Sequence, residues 1–179
     1  MKDRRGFTLI EIIIVMAIVG IVAIIATTNF SFWQNHYSSV GFQREFLSKV
    51  NEARTRSMAT SLQHRLLIDM NAETVTLQRG NLGAGTASSG WTNAAQVVVG
   101  SRGAGIDNVI CTPTVMVPTT FALVFNPDGQ TLIQDNTAGS AASPLTQADI
   151  HLSATSAADR ATIRVFGWTS KARLANGWL

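Results

Sequence analysis

Gly6-Phe7-Thr8-Leu9-Ile10-Glu11-Ile12-Ile13-Ile14-Val15-Met16 sets the architecture of this chain. It follows a charged start, Lys2-Asp3-Arg4-Arg5, and opens an apolar run from Phe7 to Ala26 whose only charged residue is Glu11. As a helix, those 20 residues measure ~30 Å at ~1.5 Å each, enough to cross the hydrocarbon core of a bilayer. An acid inside such a helix costs about 2.5–3.5 kcal/mol at the bilayer centre and less near an end. It therefore calls for a cationic partner, since a buried charge is tolerable only when paired.

Three readings of this segment compete. An ordinary secretory signal has a shorter apolar core, of about 7–15 residues, and a small-x-small cleavage site. This run is longer, carries an acid, and shows no clean site of that kind before Thr27. A plain membrane anchor leaves Glu11 as an accident. The third reading makes Glu11 functional: a carboxylate so near a positive chain end meets its cation in a neighbouring copy. Basic residues ahead of the apolar run hold that end in the cytoplasm, so the remainder is expected across the membrane.

At 179 residues the chain suits one domain beyond the anchor. The formal charge of +3 owes much to the first six residues. Without Lys2, Arg4, Arg5 and Asp3, 11 basic and 10 acidic side chains remain. The single cysteine, Cys111, excludes an intrachain disulfide and is expected to be buried as a small hydrophobe.

No proline interrupts Asn29 to Gln63. Trp33, Tyr37, Val40, Leu47, Val50, Met58 and Leu62 recur at helical spacing, with Arg44, Glu45, Lys49, Glu52, Arg54 and Arg56 on the other face. One helix is expected from Phe7 to about Ser61, apolar all round over 7–28 and amphipathic over 29–62. Gly20, Gly41 and Thr28-Asn29 are its weak points. The period then changes to two. His64–Met70 and Thr74–Gln78 read as a hairpin turning at Asn71-Ala72-Glu73. Gly80 to Gly90 reads as a loop. Further strands are expected at Ala95–Val99, Val109–Val117, Phe121–Asn126 and Gln130–Gln134, with a tight turn at Asn126-Pro127-Asp128-Gly129. Asp135 to Pro144 reads as a second loop. Asp149–Leu152, Ala161–Phe166 and Thr169–Leu174 complete the strands. The class is α+β: a long N-terminal helix packed on an antiparallel, β-sandwich-like head over 63–179.

Arg5-Gly6-Phe7-Thr8-Leu9-Ile10-Glu11 followed by an apolar helix resembles the class III leader of type IV pilins and type II secretion pseudopilins. The resemblance implies removal of residues 1–6 by a prepilin peptidase that cuts between Gly6 and Phe7. It also implies N-methylation of Phe7, and assembly through pairing of Glu11 with the amino terminus of an adjacent subunit. The head resembles GspH/FimT-type minor pilins in Leu47-x-x-Val50-x-x-Ala53-Arg54-x-x-Ser57-Met58-Ala59, in Phe125-Asn126-Pro127-Asp128-Gly129, and in Arg160-x-x-Ile163-x-Val165-x-Gly167. Implied partners are other pilins or pseudopilins and an inner-membrane assembly platform. The implied location is the inner membrane as a single-pass protein with a periplasmic head, and then the pilus or pseudopilus.

No catalytic motif, metal-ligand spacing or complete dinucleotide motif stands in the sequence, so neither an enzyme nor a cofactor is expected. Gly103-Ala104-Gly105 reads as a loop. His36, His64 and His151 are expected to be surface histidines. Arg160, Arg164, Lys171 and Arg173 lie near Trp168 and Trp178, a composition suited to nucleic acid. Some FimT-type proteins bind DNA through a C-terminal Gly-Arg-x-Arg element. Here Trp168 takes the place of the first arginine, so that motif is broken. The alternative for Arg160 and Arg164 is an outward position on an edge strand, where charge blocks aggregation.

Overall fold

The computed structural model describes residues 7–83, 88–114, 117–136 and 141–178. The chain divides into two compact units, 1–34 and 35–179. Helix α1 (Leu9–Thr60) runs through both stretches of sequence.

In the first unit, Thr8 starts α1. Its carbonyl accepts the Glu11 N–H at 3.1 Å and its hydroxyl accepts the same N–H at 3.4 Å. A side-chain oxygen at this position satisfies an N–H that otherwise lacks an intrahelical partner. The helix passes unbroken through Gly20 and through Thr28-Asn29. One glycine costs only ~1 kcal/mol relative to alanine, too little to interrupt so long a hydrogen-bonded run. An apolar window of α1 is long enough to cross a membrane.

In the second unit the helix passes equally unbroken through Gly41 and buries a narrower stripe than its periodicity suggested. Ser39, Phe42, Phe46, Val50, Ala53 and Ser57 are buried, whereas Tyr37 and Met58 are exposed. The two phenylalanines supply the bulk, each contributing about 1.5–3 kcal/mol on full burial. Val40 and Leu47 are only half-buried at its margins.

The strands are β1 (His64–Asp69), β2 (Thr74–Gly80), β3 (Trp91–Asn93), β4 (Val98–Val99), β5 (Gly105–Thr112), β6 (Thr120–Phe125), β7 (Thr131–Asp135), β8 (Ser143–Pro144), β9 (Gln147–Ser153), β10 (Ala161–Phe166) and β11 (Ala172–Asn176). One sheet has the order β3-β2-β1-β6-β7-β8, with β4 also pairing to β2; the other has the order β11-β10-β9-β5. All these pairings are antiparallel. A single core joins Phe46 and Val50 of α1 to Leu66, Leu77, Phe121 and Leu123 of the first sheet and to Val109, Ile150, Ile163 and Val165 of the second. The molecule is therefore α+β, one long helix with antiparallel sheets.

Several elements depart from the sequence expectation. Only Val98–Val99 of Ala95–Val99 is strand, and Trp91–Asn93 pairs with β2 instead. The strand expected at Val109–Val117 begins at Gly105 and ends at Thr112; Val115 and Met116 lie outside the described residues. Pro113 offers no N–H to extend it. The last strand is Ala172–Asn176, because Gly167 to Ser170 is spent on a turn, with Ser170 at φ 51°. Ser143–Pro144 pairs with β7 inside the expected loop.

Gly167 joins the two sheets. Its N–H donates to the Thr146 carbonyl at 2.8 Å and its carbonyl accepts the Thr131 N–H of β7 at 2.6 Å. A Cβ at this position would stand 1.5 Å from the Leu145 carbonyl oxygen, which is backbone and cannot step aside. Nearby, the Thr131 and Ser170 hydroxyls lie 2.7 Å apart, and Ser170 donates to the Gly129 carbonyl at 2.7 Å. The segment from Gly167 to Ser170 is thus docked on the Asn126–Gly129 turn, itself closed by the Gly129 N–H on the Asn126 carbonyl at 3.0 Å.

The histidines are a correction. His64 and His151 are buried, not on the surface. His64 faces the core from β1 because its strand alternation places it with Leu66 and Ile68. Burial, assisted by the positive charges of Arg56 and Arg79, holds its pKa below the usual histidine value, against the raising effect of the Leu62 carbonyl. The unfolded chain therefore takes up this proton at a higher pH than the folded one. His64 stabilisation is complete above the ordinary value of 6.5 and is lost as pH falls from there through the folded value. Thermal melts of the wild type should drop across that window, and those of His64→Gln should drop less. An equal pH slope in both would assign the effect elsewhere.

Candidate functional site

The site at the amino end rests on three residues. Phe7 precedes the first helical turn and is 81% exposed; Gly6, the other half of the expected cleavage site, lies outside the described residues. Thr8 fixes where the helix begins. Glu11 follows in the first turn of α1. Phe7 and Glu11 are four residues apart in sequence, with Phe7 just ahead of the helix and Glu11 within its first turn. A carboxylate in the first turn also complements the positive end of the helix dipole. The role of Thr8 was missed in reading the sequence, although Thr-x-x-Glu before an apolar run is a recognised capping pattern.

Residues 1–27 match the family model described as the prokaryotic N-terminal methylation motif. A motif of this kind at the head of a long helix, followed by a β-rich head, is consistent with a type IV pilin-like protein. No curated protein and no solved structure matches it. For this pilin-like chain the motif implies processing by a prepilin peptidase and assembly with other pilins, and its single apolar helix fits a membrane anchor.

The four basic residues of the second candidate site do not converge as free charges. β10 lies between β9 and β11, so Arg164 is on an interior strand rather than an edge. Its cross-strand neighbours are Asp149 on one side and Arg173 on the other. Arg164 donates to both Asp149 oxygens, Nε at 2.7 Å and Nη2 at 2.9 Å. The Asp149 carboxylate in turn raises the pKa of Arg164. Bidentate pairing of this kind is directional and strong, so this cation is already matched.

Arg160 precedes β10 and is held differently. Its guanidinium carbon stands 4.4 Å from the centre of the Trp178 ring. His151 stacks on the same indole with centroids 5.5 Å apart and planes 7° from parallel. The Trp178 Nε1 donates to the Leu152 carbonyl at 3.3 Å. His151 is buried under this indole, and among the described residues its Nε2 has no hydrogen-bond partner. Lys171 and Arg173 remain exposed, and neither has an ion-pair partner among the described residues. Trp168 beside them is 68% exposed.

Cys111 is buried as expected, and burial, with the nearby Asp149 charge, pushes its thiol up to about 11. Among the described residues no three His, Cys, Asp or Glu side chains gather as metal ligands do. His36 pairs with Asp159 at 2.7 Å. A cleft of about 520 Å³ bounded by Leu62, Arg79, Asn81 and Trp91 has Arg79 as its one titratable wall residue. It offers no acid–base pair.

Proposed function

We propose that this chain is a minor pilin or pseudopilin of the GspH/FimT type, a structural subunit that enters a type IV pilus or a type II secretion pseudopilus through its N-terminal helix. The observation that carries this is Glu11, the one charge in the apolar run, standing inside a matched methylation motif. A peptidase removes residues 1–6 at the Gly6–Phe7 bond, and Phe7 becomes the methylated terminus. Its ammonium meets Glu11 of a neighbouring subunit while the Ile, Val and Leu faces supply the burial energy. Before assembly the helix waits in the inner membrane with the head in the periplasm, consistent with positive charge on the cytoplasmic side. The docked Asn126–Gly129 turn and the Gly167 junction support the GspH/FimT assignment, because the residues of that resemblance are the ones that tie the head together.

Mass spectrometry of the protein from its native host tests this reading. The expected mature start is a methylated Phe7. An intact leader, or a cut at any other bond, would overturn the proposal.

A second reading, a filament-borne DNA receptor for uptake, is favoured by one observation: exposed Lys171 and Arg173 beside exposed Trp168. Arg160 and Arg164 are engaged within the head and contribute less. Salt-sensitive gel shifts abolished in Lys171→Ala/Arg173→Ala support this reading; absence of binding at low salt removes it.

A further inference from the structure

Directly after the apolar run stand Phe30, Phe32 and Trp33, with exposures of 55%, 66% and 55%. At ~100° per residue, Phe32 points ~200° from Phe30 and Trp33 ~300° from it. The three rings therefore spread over an arc of ~160° on one side of the helix, with Ser31 and Gln34 on the other side. A helix-packing stripe is about 100° wide, narrower than this arc.

Three further observations name what covers the arc. No Asp, Glu, Lys or Arg occurs between Glu11 and Arg44. Two hydroxyls at this level are satisfied by their own helix: the Thr27 hydroxyl donates to the Ile24 carbonyl at 2.9 Å and the Ser31 hydroxyl to the Thr27 carbonyl at 3.2 Å. Distance also agrees. Phe30 lies ~6 Å and Trp33 ~10 Å of helix rise beyond Ala26. The headgroup layer adds ~5–8 Å per side to a ~30 Å hydrocarbon core. Helical side chains lean toward the N-terminus, which brings the Trp33 indole back toward the bilayer. Phe30 and Trp33 also stack, with centroids 6.3 Å apart, giving a broad rigid surface. Tryptophan belongs at this depth because its ring is apolar and its N–H is polar.

We propose that Phe30, Phe32 and Trp33 form a collar seated in the lipid headgroup layer on the non-cytoplasmic side, and that this collar sets the depth of the helix. The proposal rests on the membrane-anchored reading. Trp33 and Leu9, the first residue of α1, are separated by ~36 Å of helix rise, so a collar in the outer headgroups places the start of the helix, with Phe7 just ahead of it, at the opposite face of the hydrocarbon core. The bond to be cut is then presented at a fixed height.

The test uses the full chain in phospholipid vesicles whose acyl chains carry bromine either near the headgroup or near the chain end. Replacing Trp91, Trp168 and Trp178 by Phe leaves Trp33 as the reporter. A second variant, Trp33→Phe with Ile18→Trp, reports the middle of the span. The expected result is stronger quenching of Trp33 by bromine near the headgroup and stronger quenching of the Ile18→Trp reporter by bromine near the chain end. Substituting Phe30 and Phe32 by Ser should then weaken the depth preference of Trp33. Should Trp33 go unquenched while the residue-18 reporter is quenched deeply, the span stands and the collar falls. Should neither be quenched, the membrane-anchored reading falls and takes the collar with it. Headgroup quenching that vanishes as protein density rises would assign the rings to a second helix and overturn the lipid collar.

Discussion

Glu11→Ala should leave the protein in the membrane with its head folded, yet lose its place in the filament. Glu11 lies in the first unit, on an exposed helix surface. Removing an acid from an apolar helix favours the membrane-inserted state by a fraction of the 2.5–3.5 kcal/mol that an acid costs at mid-bilayer. What the variant loses is the partner for the amino terminus of another subunit. Deleting one member of a desolvated ion pair costs about 3–5 kcal/mol, and each ~1.4 kcal/mol is a factor of ten in an equilibrium. Docking should fall by ~100-fold or more, read as the share of protein in sheared filaments against the share left in membranes. Glu11→Gln, which keeps the shape and the Thr8 cap, should fall nearly as far, because charge is the missing element. Wild-type incorporation of either variant would end the pairing role. Thr8→Ala is the complementary control: it removes the cap, worth ~1 kcal/mol, and keeps the charge.

Gly167→Ala should cost the head its fold. The new methyl carbon would overlap a backbone carbonyl oxygen 1.5 Å away. Relief requires moving Leu145 or Gly167, and Gly167 carries the hydrogen bonds to Thr146 and Thr131. Overpacking alone usually costs about 1–3 kcal/mol. Breaking a buried hydrogen-bonded junction in addition carries the loss beyond ~4 kcal/mol, the range reserved for named structural catastrophes. The measurement is soluble yield and the urea midpoint of the purified protein. A midpoint within experimental error of wild type would show that the two sheets are not joined as described. Gly129→Ala makes a useful contrast: nothing lies within 4 Å of its Cβ position, and the strain comes only from φ at 89°.

The parts of the fold legible in the sequence are those whose signals are local. His64–Asp69 and Thr74–Gly80 alternate cleanly, and their partners fall in register around a turn at Asn71-Ala72-Glu73. Asn126-Pro127-Asp128-Gly129 carries its own turn chemistry, and the Gln130 N–H is held by the Asp128 carboxylate at 2.9 Å. Ala161–Phe166 was readable from Ile163 and Val165. What was missed depends on tertiary pairing. Trp91–Asn93 is strand because β2 offers Gly80, Arg79 and Gln78 as partners, not because three residues alternate. Gly105 joins β5 through Ser153, far along the chain, which the look of a glycine loop concealed. The buried helix stripe was misjudged by following the larger spacing pattern past Phe42 and Phe46.

The amino-terminal site was largely visible: a lone acid in an apolar run is conspicuous because its physical cost is high. The C-terminal basic group was not, since charge counting ignores that Asp149 reaches Arg164 from the adjacent strand and that an indole covers Arg160. Pairing and stacking neutralise much of what composition suggests.

The Gly167 junction also dictates an order of events during synthesis. Strand β7 emerges early, but its first N–H, that of Thr131, has its partner 36 residues later, at Gly167. The β6–β7 turn likewise awaits the Ser170 hydroxyl. A nascent chain halted anywhere before those residues holds an unfinished sheet with apolar side chains uncovered, whatever has already formed behind it. Completion of this head is therefore coupled to delivery of its final segment, and a premature stop codon upstream of residue 167 should yield material for proteolysis instead of a smaller working domain.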